Sequence, residues 1–326
     1  MPKNTEDAKL GISTAIVGVS DRVGRAKMTY DYFLPPFERT LADLDFKVRH
    51  YSYREFILTG QPHDAAILLY GEVRAQRHPQ FLNVLEGAAT AARARKTLVV
   101  HAPSVGKIVA DKTSTNKILS KGGVEVPRLV STTLAPFKVF SNENMGSHAP
   151  AHIVNVGKTL DGSRYNTEWI DTRHNYNGRD YYVVLRAMAV GSRCTSILLR
   201  MRPVDEGDAS VHNTDTPLNA SLWNDLYQRI VVPQSGAIQT ICEQIANILG
   251  LGFFSHDILP EQHSSRLLVC ETGFKFDDYL YRSHFMPLSG QLVADDFLSE
   301  RFVKKSAECF ASELVKQLDS TRQDRQ

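Results

Sequence analysis

Long hydrophobic runs are missing from this sequence. No apolar stretch reaches the roughly 18 residues that a membrane span needs, so a membrane-embedded class is not expected. Cysteine is scarce: the four residues at 194, 242, 270 and 309 lie far apart along the chain. That spacing excludes a CxxC metal or redox pair and leaves reduced thiols as the expectation. An excess of one charge is also missing. With 38 basic and 36 acidic residues the net charge is +2, which gives no general reason to expect nucleic acid or an anionic membrane as partner. A local basic pocket for a phosphorylated ligand is compatible with that balance. The segment MPKNTEDAKLG is polar and has no apolar h-region, so no signal peptide is expected. These absences together predict a soluble, cytoplasmic protein.

The common catalytic and nucleotide-binding strings are absent as well. Gly18 and Gly24 sit in a strand-to-helix turn, but the dinucleotide fingerprint needs GxGxxG so that backbone can approach a pyrophosphate, and Gly18 is followed by Val-Ser-Asp-Arg-Val-Gly. Gly157-Lys158-Thr159 resembles the end of a phosphate loop, yet His152 stands where its first glycine belongs. No GxSxG pentapeptide offers a serine nucleophile. The 11 histidines form no HExxH or comparable ligand spacing.

What is present is a chain of 326 residues, long enough for two or three domains, with 42% hydrophobic and 23% charged residues, the proportions of a globular protein. Apolar or β-rich runs at 14–19, 46–53, 65–70 and 97–100 alternate with helix-like segments, one of them 79–95 with Phe81, Leu82, Leu85, Ala88 and Ala92 on one side. Such alternation predicts a parallel sheet. The character changes near Asp111. DKTSTNKILSKGG reads as a short helix ending at a glycine pair, and β-rich runs follow at 137–140, 151–156 and 181–202. Residues 203–234 read as a long, polar, turn-rich loop. Ile238, Ile241, Ile245 and Ile248 then recur at helical spacing over 236–249, strands are predicted at 253–259 and 266–271, and a last helix at 299–318.

Five short segments, in this order, carry a resemblance. HAPSVGKIVADKTSTNKILSKGGVEVPRLV contains Asp111-Lys112, Gly123 and Val126-Pro127. FKVFSNENMGSH contains Lys138 and Gly146-Ser147. TEWID spans 167–171. YYVVLRAMAVGSRCTSILLRMRP holds Arg186, Arg200 and Arg202, whose parity along the strands points all three to one face. ILGLGFFSHDILPEQHSSRLLVCETGF holds Asp257 and Glu271. A guanidinium-rich face suits carboxylate or phosphate recognition, and two carboxylates on adjacent strands suit a hard cation. Each group can equally be an ordinary solvated charge.

Segment order and these short matches, over roughly residues 97–285, resemble the ATP-grasp superfamily: glutathione synthetase-like and D-alanine ligase-like carboxylate–amine ligases and the ribosomal-protein glutamate ligases. The resemblance implies a fold of class α/β plus α+β. A pre-ATP-grasp parallel-sheet domain (1–108) would precede a nucleotide-binding subdomain (109–172) and a C-terminal subdomain with the metal and substrate site (173–326). It implies ATP and Mg²⁺ as cofactors. Lys112, Lys138, Gly146 and Ser147 would face the phosphates, and Glu168, Trp169, Ile170 and Asp171 the adenine and ribose. Asp257 and Glu271 would hold the metal, and Arg200 and Arg202 would act on the reacting groups. Ser141 and Asn142 stand where the superfamily has its strand lysine, Ser255 where D-alanine ligase-like members have arginine, and Gly273 where asparagine is usual. The implied activity is an ATP-dependent carboxylate–amine ligase working through an acyl phosphate. The alternatives are a repurposed or non-catalytic binding protein and an ATP-grasp small-molecule kinase. The implied partners are small-molecule or peptide carboxylates and amines, with neither nucleic acid nor membrane; a homodimer is left open.

Overall fold

The computed structural model describes residues 11–18, 32–146, 151–207, 209–212, 214–274, 276 and 279–323. The first unit is a four-stranded parallel sheet in the order β2-β1-β3-β4, formed by β1 (Ser13–Val17), β2 (Lys47–Tyr51), β3 (Ala65–Leu68) and β4 (Leu98–Val100). β3 is apolar along its length and β1 over its last three residues, because helices cover the sheet. α1 (Leu34–Asp43) precedes β2, and α2 (Tyr53–Leu58) starts at a capping box in which Ser52 and Glu55 satisfy each other's backbone N–H. α3 (Glu72–Arg77) follows β3 at once, and α4 (Pro79–Ala94) turns Phe81, Leu85, Ala88, Ala89 and Ala92 inward. Gly24 lies outside the described residues.

α5 (Pro103–Ala110) begins directly after β4. Pro103 fixes a helical φ at a position whose N–H is not needed. α6 (Lys112–Lys121) is capped by Asp111, whose Oδ1 accepts from the Ser114 amide at 2.6 Å. It ends at Gly122 and Gly123, the latter at φ +83°, which glycine adopts cheaply. A small antiparallel sheet follows, in the order β6-β5-β7: β5 (Val139–Asn142), β6 (His152–Val154) and β7 (Tyr165–Glu168).

The second large sheet is antiparallel. β9 (Arg179–Val190) pairs along one edge with β10 (Arg193–Pro203). Its other edge carries β8 (Arg173–Tyr176) and then β11 (Phe253–Pro260), which in turn pairs with β12 (Leu267–Gly273). α8 (Val232–Leu249) packs on β9 and β10, with Ile238, Ile241 and Ile245 buried. α10 (Glu300–Gln323) packs on the same two strands and on α1. Phe253 lies between Phe37 of α1 and Phe310 of α10, at 5.5 and 5.3 Å between ring centroids. The parallel and antiparallel sheets therefore share one core. His101, just past β4, adds a polar tie: its ring Nε2 accepts from the Phe253 amide at 2.9 Å.

The long loop expected over 203–234 is corrected by the structure. Only its first half is irregular. α7 (Ala220–Leu226), a π-turn (Tyr227–Val231) and α8 form one helical path. Leu222, Trp223, Leu226, Ile230 and Val231 are buried along it, and the Trp223 indole donates to the Leu199 carbonyl at 3.0 Å. The turn formers before 220 and Pro233 masked this stripe; Pro233 falls in the first turn of α8, where it is tolerated. Among the described residues no helix is long and apolar enough to cross a membrane.

Candidate functional site

The small sheet and the second large sheet face each other across a pocket of about 120 Å³ that opens to solvent. Phe140 and Asn142 of β5, Tyr165 and Thr167 of β7, and the connecting residues Glu168, Trp169 and Ile170 form one wall. Val184, Arg200, Asp257, Leu259, Cys270 and Glu271 form the other. Lys112 of α6 lines it as well, and Ala209, Ser210 and Val211 line it from the segment after β10. A mostly apolar lining with a few charged groups has the character of a small-ligand site.

Strand register sets the charged end. Asp257 pairs with Arg186 across β11–β9 and with Glu271 across β11–β12. Arg200 pairs with Val184, two residues from Arg186, so all four side chains share one face. Between Asp257 and Ile258 the β11–β12 register slips by one residue, leaving Cys270 as a bulge. A bulge re-aims side chains, and here both Cys270 and Glu271 line the pocket. Arg186 Nε and Nη2 donate to Asp257 at 2.8 and 3.0 Å, and Arg200 Nη2 donates at 2.9 Å. Both arginines are almost fully buried, at 5% and 4% exposure. Burial, and Arg186 beside it, push the Arg200 guanidinium below the ordinary arginine pKa, and Asp257 opposes the shift. Burial pushes the Cys270 thiol well up, so it stays protonated and poorly reactive.

No protein-family model matches the sequence, and no curated protein matches it either. Solved structures do match the fold. The ATP-grasp ligase PsnB, in complex with a phosphomimetic variant of its minimal precursor, Mg and ADP, superposes with a TM-score of 0.51 at 12% identity, over 95% of this chain and 98% of its own. A RiPP-associated ATP-grasp ligase from Chryseobacterium gregarium, in complex with ADP and a leader and core peptide, gives 0.51 at 10% identity, over 92% and 97%. A RimK domain ATP-grasp protein from Sphaerobacter thermophilus gives 0.50 at 12%, over 93% and 99%. The chain has an ATP-grasp fold. The parallel sheet comes first in the chain, and the pocket lies between the two sheets that follow.

Within that fold the residues singled out from sequence fall into two groups. Lys112, Glu168, Trp169, Ile170, Arg200, Asp257 and Glu271 line the pocket together. Lys112 is buried, and its Nζ donates to the carbonyls of Glu143 and Gly146 at 3.1 and 2.5 Å. It thus ties the start of the ATP-grasp fold to the loop after β5. Gly146 has φ +125°, a conformation that side chains resist. Ser147 lies outside the described residues. Glu168 accepts from the Arg128 amide at 3.0 Å.

Gly146, Lys138, Asp171 and Arg202 lie off the pocket lining. The Lys138 ammonium stands 5.0 Å from the Trp169 ring centroid, a cation–π contact. Burial pushes Asp171 up, but hydrogen bonds from Arg173 outweigh it and hold the carboxyl below its ordinary range. Arg202 shares the face of Arg186 and Arg200, yet its guanidinium reaches the segment after β10. It donates to the carbonyls of Glu206 and Ser210 at 3.0 and 3.3 Å and lies 3.7 Å from Asp215.

Besides the residues named from sequence, Cys270 lines the pocket, and Arg186 and Glu72 bear on it from outside the lining. Arg186 was seen only as one of three alternating arginines, and its bidentate hold on Asp257 depends on the β9–β11 register across 71 positions of sequence. Glu72, the first residue of α3, is 5% exposed. A Cβ at Gly273 would stand 2.7 Å from its Oε1. The glycine where asparagine is usual is thus the residue that leaves room for a carboxylate from the first domain.

The donor set can be tested for a divalent cation. Arg186 and Arg200 balance Asp257 and Glu271, so a dication alone would bring two uncompensated charges into a buried place. Among the described residues no group of three or more His, Cys, Asp or Glu could hold a metal. Magnesium is commonly held by one or two carboxylates together with substrate phosphates. Asp257 and Glu271 meet that requirement once polyphosphate is present.

Proposed function

We propose that this chain is an ATP-dependent carboxylate–amine ligase that binds ATP with Mg²⁺ in the pocket between the two ATP-grasp sheets. The observation that carries the proposal is the pocket's polarity. Its lining joins the apolar Phe140, Trp169, Ile170, Val211 and Leu259, of which Trp169, Val211 and Leu259 pack in one cluster, to the charged Lys112, Arg200, Asp257 and Glu271. The apolar residues suit a base, and the charged ones suit a metal-bound polyphosphate. Glu168 to Asp171 would take adenine and ribose, Lys112 and the Gly146–Ser147 loop the phosphates, and Asp257 with Glu271 the metal. Lys138 would act from behind Trp169, and Arg202 by holding the segment after β10 over the acceptor. Bound ATP with its metal would supply the phosphoryl group and neutralise its charge. A substrate carboxylate oxygen would take that phosphoryl group, with ADP as the leaving group. An amine nitrogen would then displace phosphate at the acyl carbon and give up a proton. Arg200 would stabilise charge on the transferring group.

Ligands in complexes of similar fold make a peptide an acceptable substrate, since PsnB and the Chryseobacterium ligase are described with precursor or core peptides. Subdomain boundaries near residues 108 and 172, and a cytoplasmic location, belong to the same proposal. A second reading, a repurposed nucleotide-binding protein, is favoured by Ser141 and Asn142 at the lysine position and by Glu72 filling the place of the absent asparagine. The two readings separate in one assay. The purified protein is incubated with Mg-ATP and a panel of amines, amino acids and peptides, with ADP and phosphate measured. ADP release that requires both a carboxylate and an amine supports the ligase. Nucleotide-dependent thermal stabilisation without ADP release supports the binding protein, and ADP release with a phosphorylated product but no amide would indicate a kinase.

A further inference from the structure

The carboxylate pair that would hold a metal is blocked on one side by a residue that also faces the nucleotide. An ionised carboxylate offers about four lone-pair positions, and at Asp257 at least three are taken, by Arg186 and Arg200. The two arginines differ in one respect. Arg200 lines the pocket and Arg186 does not. Arg186 holds Asp257 through two parallel bonds from its direct register partner position, so it fixes the carboxylate. Arg200 bonds Asp257 from a diagonal position and lines the pocket, so its guanidinium can turn toward an anion there.

We propose that Arg200 gates the metal site. Without nucleotide its guanidinium neutralises Asp257; polyphosphate in the pocket draws that guanidinium over, and only then do Asp257 and Glu271 accept a divalent cation. The proposal rests on the nucleotide reading given above. It makes Arg186 the positioning residue of the pair and Arg200 the exchangeable one. Metal and nucleotide then bind cooperatively, and linkage requires each to tighten the other by the same factor, usually about 5- to 150-fold.

The test uses the full chain and Mn²⁺ as metal probe, read by loss of the free-ion electron paramagnetic resonance signal. Wild type is titrated alone and with saturating ADP, against an ADP-only control. Arg200→Gln, which keeps a hydrogen-bond donor without the charge, is titrated alone. Arg200→Lys, which keeps the charge, serves as the conservative rescue. Thermal unfolding checks that each variant is folded, and Arg200→Ala replaces the glutamine variant if that one is not. Wild type is expected to bind Mn²⁺ at least about fivefold more weakly alone than with ADP, the lower end of the coupling range. The glutamine variant should bind Mn²⁺ alone and lose most of the coupling, the lysine variant should behave like wild type, and Asp257→Asn with Glu271→Gln should remove the binding. Equal Mn²⁺ affinity of wild type with and without ADP overturns the gate. So does a glutamine variant that binds Mn²⁺ no better alone than wild type. If ADP itself does not bind, the nucleotide reading fails, while the ADP-free comparison of wild type with Arg200→Gln still decides the gate.

Discussion

Asp257 receives guanidinium hydrogen bonds from both Arg186 and Arg200 in a buried place. Removing its charge leaves two buried cations facing each other, and breaking a buried pair from one side costs about 3–5 kcal/mol. Asp257→Asn is therefore expected to lower unfolding free energy by about that amount in urea; a change near zero would mean that the guanidiniums are solvated. Gly273 carries a second residue-scale prediction. An asparagine there would push against Glu72 Oε1, and overpacking a filled site costs about 1–3 kcal/mol. Gly273→Asn should destabilise by that much, and Glu72→Ala in the same chain should relieve most of it, as thermal denaturation would report. Two buried histidines set a third. Burial lowers His101 to about 4, opposed by the hydrogen bond its Nδ1 gives the Leu68 carbonyl. Burial lowers His256 to about 3, with Asp257 opposing. Both are neutral in the folded state, whereas in the unfolded chain they take up protons near pH 6.5. Their contribution is complete above about 6.5 and is lost as pH falls through that value toward the folded pKa. Urea midpoints should fall steadily between pH 7 and 5; a midpoint that rises on acidification contradicts the burial of both rings.

At the scale of elements, the segment after β10 and the helical path behind it behave differently from one reading of their composition. Trp223 is fully buried, donates to Leu199 and stacks on Tyr227 at 4.7 Å. Trp223→Ala is expected to cost about 3–5 kcal/mol, as for other large buried aromatics, measured by chemical denaturation. The irregular residues before α7 are held by Arg202 and by Arg179, which pairs with Asp205 and Glu206. The strands and most helices were legible because apolar periodicity survives in single segments: 65–70, 236–249 and 253–259 all matched elements. α7 was not, because Asn219, Asn224, Asp225 and Pro233 interrupt a stripe that only the packing against β10 completes. The candidate site was legible only where one residue suffices. Asp257 and Glu271 could be named from their strands. Arg186 needed the β9–β11 register, Cys270 the bulge, and Glu72 the docking of α3 against β12, all of which join distant parts of the chain.

For the molecule as a whole, the account rests on one pocket formed by parts far apart in sequence, from Lys112 to Glu271. Trp169 stands in that pocket and Trp223 in the core, so two tryptophans separate a site signal from a folding signal. The central claim is that this pocket holds a metal-bound adenine nucleotide. Isothermal titration calorimetry of the full chain with a non-hydrolysable ATP analogue and Mg²⁺ tests it most directly, with Trp169→Phe and Asp257→Asn measured beside wild type. The predicted result is saturable binding at one site per chain, weakened by about tenfold, or about 1.4 kcal/mol, when Asp257 loses its charge. Absence of binding in a folded wild-type protein, or binding unchanged in Asp257→Asn, would contradict it.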